Sequence, residues 1–209
     1  MSSQLDRVVE LTFRRRKQVA ALTLVLSVAS SIIAIAHYFV PLVSYEGWLA
    51  SGFVGISAHK LLVAGREVSI KPLESLSLIS LVLLVLAIAS LFFAALAVFG
   101  HVKLRESLYL EGATISAFSA ALAMSLLFSI MGVVVDEILP ALPQRGSVST
   151  SAGVLTFERS KEYKSSLYLL FEDYGIYMVL LSASLFLLSA LVLYSYWRLE
   201  ETEVELSSP

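Results

Sequence analysis

Four stretches of this chain, 18–40, 75–99, 112–135 and 175–197, contain no Asp, Glu, Lys or Arg. At about 1.5 Å of rise per residue, each is long enough as a helix to cross a hydrocarbon layer of roughly 30 Å. Segments of mixed polarity separate them. The pattern predicts a mainly α membrane protein, a four-helix transmembrane bundle with a small extracellular β subdomain formed by the two longer loops. The third run stands out because small residues recur at every fourth position, in Ala113, Ala117, Ala121, Ser125 and Ser129, with a shorter second row in Gly112, Ser116 and Ala120. Rows of this kind let a neighbouring backbone come close, which is how helices associate where lipid provides no hydrophobic drive. These eight residues are therefore the expected packing positions, and the third helix the expected best-packed one. Leucine at Ala121 or Ser125 should disrupt assembly, and Leu127→Ala should be milder.

The segments between the runs have their own patterns. Residues 1–17 form a basic amphipathic segment that places Leu5, Val8, Val9 and Phe13 at helical spacing and ends in Arg14, Arg15, Arg16 and Lys17, against the first span, 18–40. The competing reading of that run is a secretory signal with Ala34-Ile35-Ala36 as its cleavage site. In the first long loop, 41–74, short apolar and β-branched pieces at 53–57, 60–63 and 67–70, with Gly65-Arg66 as a turn, predict a hairpin or a three-stranded sheet. After the second span, 75–99, a connection of only a few residues, 100–111, makes the second and third spans antiparallel neighbours. The second long loop, 136–174, predicts a hairpin around Val154–Phe157 and then a helix leading into the fourth span, because Tyr163, Leu167, Leu170, Phe171 and Tyr174 lie at helical spacing. Beyond the fourth span, 175–197, the tail 198–209 carries Glu200, Glu201, Glu203 and Glu205 and is expected to lack structure.

Composition sharpens this picture. The chain of 209 residues is 57% hydrophobic and 15% charged, with a mean hydropathy of +0.82, far from the usual charged fraction of about 25% in soluble domains. Its net charge of -2 offers no basic field for nucleic acid, which is not an expected partner. There is no cysteine, so disulfides and thiolate chemistry are excluded. Asparagine is also absent, and the combined depletion suggests a thermophilic source. Lys and Arg are about twice as dense in the termini and the short connection as in the long loops, which predicts a cell-membrane protein with both termini cytoplasmic.

Candidate chemistry is sparse. No span holds an acid or a Lys or Arg in its interior, which disfavours ion transport. His37 and His59 fall on the expected outer side with Glu46, Asp136 and Glu137, but their spacing matches no metal-ligand pattern, and no metal or cofactor is expected. Asp136 and Glu137 close the third span at its outer end, with Arg145, Arg159 or Lys161 as available ion-pair partners. Trp48 either anchors the loop at the membrane surface or contacts another protein. Trp48, His59, Asp136 and Glu137 are thus the candidate outer interaction surface.

Four spans, a short inner loop, a strand-bearing first outer loop and a hairpin in the second form an arrangement similar to that of the claudin-like tetraspan proteins. The resemblance is one of architecture over the whole chain and of nothing finer: the family's outer-loop cysteine pair is absent, and Trp48 after Gly47 does not amount to its tryptophan signature. It implies assembly of membrane proteins through an outer β-layer. The leading expectation is a non-enzymatic accessory subunit or scaffold that works by association with another membrane protein or with itself. The alternatives are a channel or carrier for a hydrophobic or small neutral solute, and a lipid-modifying enzyme using Asp136, Glu137 and His37.

Overall fold

A computed structural model describes residues 7, 14–41, 43–46, 50–63, 65–67, 71–133, 145–150, 153–158, 163–164 and 168–207. Among them the elements run α1 (Arg16–Phe39), β1 (Val43–Glu46), β2 (Ala50–Val54), β3 (His59–Val63), β4 (Arg66–Glu67), α2 (Lys71–Val102), α3 (Glu106–Val133), β5 (Arg145–Thr150), β6 (Gly153–Glu158), β7 (Tyr163–Lys164) and α4 (Tyr168–Ser207). All four helices are long and apolar enough to span a membrane, and the chain fits a multi-pass membrane protein. Of the expected amphipathic segment, 1–17, only Arg7 and residues 14–17 are described, and Arg16 and Lys17 already belong to α1.

Several elements depart from expectation; α3 begins at Glu106 rather than at 112. α2 and α4 extend well past the uncharged runs, and α4 continues through the acidic tail to Ser207, where no structure was expected. Charge marks the edge of an apolar run, but Glu, Leu and Arg are good helix formers, and nothing between Trp197 and Ser207 is Gly or Pro. Tyr196 supports this continuation by donating its hydroxyl to Glu200 one turn on, at 2.6 Å. Tyr163 was expected in the helix leading to the fourth span; it belongs to β7 instead, and the helix begins at Tyr168.

The burial pattern of the helices reverses that of a water-soluble protein. α2 buries Ser80, Leu83, Ala87, Ser90, Ala94 and Ala97, and α4 buries Met178, Ser182, Leu185, Ser189, Val192 and Ser195, at spacings of three and four. That is the seam of helices packed at shallow crossing angles. On α1 the buried set includes Ala20, Thr23, Ser27, Ser30, Ser31 and Ala34. The hydroxyls there cost little, because Thr23, Ser27, Ser30 and Ser31 each donate to a carbonyl one turn back, at 2.6–2.8 Å. The exposed faces carry Leu22, Val25 and Ile32 on α1, and Val82, Val85, Ile88 and Phe92 on α2.

The chain divides into two compact units. One comprises Met1–Ile33, Val85–Ser125 and Met178–Pro209. Its larger apolar cluster takes Ala20 and Leu24 from α1, Ala94 and Ala97 from α2, Tyr109, Leu110 and Ala113 from α3, and Val192 from α4. A second cluster joins Ala120 and Ala121 of α3 to Leu185 of α4, with Phe118 and Phe186 stacked edge to face at 5.6 Å. α3 contributes to both. Its approach to α2 is very close at Gly112, where a Cβ would stand 2.9 Å from the backbone nitrogen of Ala97. The α2–α3 connection is closed by backbone bonds: Arg105 N–H donates to Gly100 C=O at 2.8 Å and Leu104 N–H to His101 C=O at 3.2 Å. This is the Schellman arrangement, with Leu104, at φ 57°, in the left-handed position that glycine usually fills.

The other unit comprises Ala34–Leu84 and Leu126–Tyr177. It holds an antiparallel sheet in the order β4-β3-β2-β1-β7 and a separate β5–β6 hairpin. The first loop supplies four strands, and β7 of the second loop completes the sheet by pairing Tyr163 with Tyr45 and Lys164 with Ser44. Strands β1 and β7 are not among the expected ones; the strand expected at 53–57 is β2, Ala50–Val54, with 55–57 in the turn after it, and of that expected at 67–70 only Glu67 is in β4, 68–70 lying outside the described residues. Gly65, at φ 75°, makes the expected turn between β3 and β4. Gly55 N–H bonds to Ala58 C=O at 2.9 Å in the turn between β2 and β3, where any side chain would collide with that carbonyl. Ser57 Oγ donates to Tyr38 C=O at 2.7 Å, tying this turn to the end of α1.

Candidate functional site

The expected packing row on α3 is placed as follows. Gly112, Ala113, Ser116, Ala117, Ala120 and Ala121 are buried, Ser125 is half-buried and Ser129 is exposed. The row thus turns out of the packed face toward its last members, as a strict four-residue repeat must on a helix of 3.6 residues per turn. Leu127, where alanine is expected to be milder than leucine at Ala121 or Ser125, is fully buried. Ser116 does more than leave room: its hydroxyl donates to Ser90 C=O at 2.9 Å and lies 3.2 Å from Ser90 Oγ, so two fully buried serines join α2 to α3.

Of the candidate outer surface, only His59 is among the described residues, half-buried on β3 opposite Val54. Trp48, Asp136 and Glu137 lie outside them. His37, near the end of α1, is buried, at 4% exposed. Among the described residues no three metal-ligating side chains come together.

One constellation was not anticipated from the sequence. At the start of α1 an open cleft of about 610 Å³ is lined by Arg14, Arg15, Arg16, Lys17, Gln18 and Glu106. Glu106, in the first turn of α3, accepts a hydrogen bond from Arg16 Nε through one carboxylate oxygen and faces Lys17 Nζ at 3.7 Å through the other. Tyr109, one turn on, donates its hydroxyl to Lys17 C=O at 3.1 Å. The basic run was plain in the sequence as a topology signal. Its carboxylate partner, ninety positions away, could not be read from local pattern. No protein-family model matches the chain, and no curated protein matches it.

Proposed function

We propose that the protein is a multi-pass cell-membrane protein, with both termini cytoplasmic and the strand-bearing loops outside, that acts by association as an accessory subunit or scaffold and catalyses no reaction. The observation that supports this most is what the helices bury. Their packed faces are rich in small and hydroxyl-bearing residues beside some large apolar ones, their exposed faces carry many Leu, Val, Ile and Phe side chains, and no acid, Lys or Arg is buried among the described residues. Packing of that kind needs an apolar surrounding and provides no charged path for an ion. The two long loops build a shared sheet with short edge strands, which is more structure than a connector requires and gives a partner a surface to recognise. Purification from the native membrane in mild detergent, after cross-linking, is expected to yield a complex with another membrane protein or a defined oligomer. A strict monomer without companions would overturn the association reading. Orientation is tested separately: a cysteine at Ser149 should react with an impermeant reagent applied outside intact cells, and one at Ser107 should not.

A second reading, a carrier for a small neutral solute, has one observation in its favour, the burial of His37 within an apolar helix. Flux in proteoliposomes that is lost in His37→Ala would support it.

A further inference from the structure

The geometry points to a binding site for the phosphate of an anionic lipid headgroup in the cleft formed by Arg14, Arg15, Arg16 and Lys17. The inference rests on the membrane reading of the helices and is independent of the association reading. Four cations line the cleft against a single carboxylate, and both oxygens of Glu106 are directed at Arg16 and Lys17. Arg14 and Arg15 are exposed and enter no ion pair among the described residues. The charge is also misplaced for the stability of the fold. Cations at the start of α1 oppose its dipole, and the start of α3 brings a second positive helix end to the same place. A phosphate would relieve both, accepting bidentate hydrogen bonds from the arginines in a cleft that already has a positive field.

The level of the cleft identifies the source of that phosphate. Tyr109 donates its hydroxyl to Lys17 C=O, which puts this tyrosine at the level of the cleft, and Tyr196 packs against the same apolar cluster as Tyr109. Trp197, half-exposed and stacked on Tyr194 at 5.9 Å, follows directly and precedes Arg198. Tyrosine and tryptophan collect at the depth of lipid headgroups, with Lys and Arg just beyond. The uncharged part of α1 begins immediately after Lys17. A basic cluster directly abutting a span, at aromatic-belt depth, is where anionic headgroups reside. Lys103 and Arg105, exposed on the α2–α3 connection, add to the field from the same unit.

The test uses the full chain in nanodiscs of equal phosphatidylglycerol and phosphatidylcholine, followed by release into detergent and mass spectrometry of the intact protein with its retained lipid. The natural protein is expected to retain phosphatidylglycerol preferentially. Arg14→Ala combined with Arg15→Ala, which leaves the Glu106 contacts in place, should lower that preference on the order of 25-fold, about fivefold for each cation near the headgroup. Glu106→Gln removes the one competing carboxylate and should raise it. Equal retention of the two lipids, no change in the double variant, or a fall in both variants would overturn the proposal. Displacement of the lipid by millimolar inorganic phosphate would also overturn it, in favour of a soluble anion. Failure to enter nanodiscs would sink the membrane reading together with this one, whereas incorporation without lipid preference sinks this one alone.

Discussion

The second and third helices are joined by the shortest connection between helices and differ more than any other pair. α2 is the most apolar of the four, yet only 28% of its most apolar stretch is buried; α3 is the least apolar, and 56% is buried. In water the order would be the reverse, because burial would follow apolar area. Here small residues account for much of the difference: Gly112, Ala113, Ser116, Ala117, Ala120 and Ala121 are enclosed beside large residues such as Leu110 and Leu127, while Val82, Val85, Ile88 and Phe92 face outward. The difference teaches that close backbone approach, rather than withdrawal of oily side chains from solvent, holds these helices together.

The strongest test of that contrast is Gly112→Leu. A Cβ at this position already meets Ala97 backbone nitrogen at 2.9 Å, so a full side chain must push α2 and α3 apart. The loss should reach about 3 kcal/mol or prevent assembly altogether, at the upper end of overpacking effects. Val85→Leu, on the exposed face of α2, should be neutral. Reversible unfolding in mild detergent measures both, and equal effects would remove the asymmetry between the two helices.

Leu127→Ala comes next. It is expected to be milder than leucine at Ala121 or Ser125, but Leu127 is fully buried, so a measurable loss remains. Where lipid replaces water as the reference, the transfer part of the penalty shrinks but the cavity remains, so a loss of about 2 kcal/mol is expected, the low end of the range for buried leucines. Exposed Leu81→Ala on α2 should cost less than about 0.5 kcal/mol.

These positions show what local pattern can carry. Uncharged runs locate all four helices, and the small-residue row identifies the most enclosed one, because both depend on residues near in sequence. Helix ends were harder: charge shows where the chain leaves an apolar medium, while helix continues wherever propensity allows, as it does from Trp197 to Ser207. Tyr163 has helical spacing with its neighbours but pairs with Tyr45, a contact set by long-range pairing that no short window contains. Glu106 was passed over for the same reason. Its meaning depends on Arg16 and Lys17, which only the fold brings beside it.

The connection itself offers a gain rather than a loss. Leu104 is 91% exposed and holds φ 57°, a conformation costing about 1 kcal/mol for a residue with a Cβ. Leu104→Gly should recover roughly that amount as increased stability, provided the Arg105-to-Gly100 and Leu104-to-His101 bonds persist. If stability falls instead, the exposed leucine contributes through lipid, and α2 is held by its end as well as by its seam.

The smallest expected effect concerns the polar link between Ser116 of α3 and Ser90 of α2. Ser116→Ala removes the bond to Ser90 C=O and the contact with Ser90 Oγ, yet it leaves a small side chain where close approach requires one. The carbonyl keeps its place in the helical ladder, and Ser90 can turn its hydroxyl to a carbonyl one turn back, as Ser125 does toward Ala121 at 2.8 Å. A chain unfolded within the membrane also finds partners for its hydroxyls, so the measured loss should be about 0.6 kcal/mol, the average for interhelical bonds of this kind. Ser184→Ala, exposed on α4 and bonded only within its own helix at 2.7 Å, is the control and should be silent. A loss above about 2 kcal/mol at Ser116 would exceed what such bonds supply. It would mean that hydrogen bonding, rather than the smallness of the residues around it, distinguishes the buried helix from its exposed neighbour.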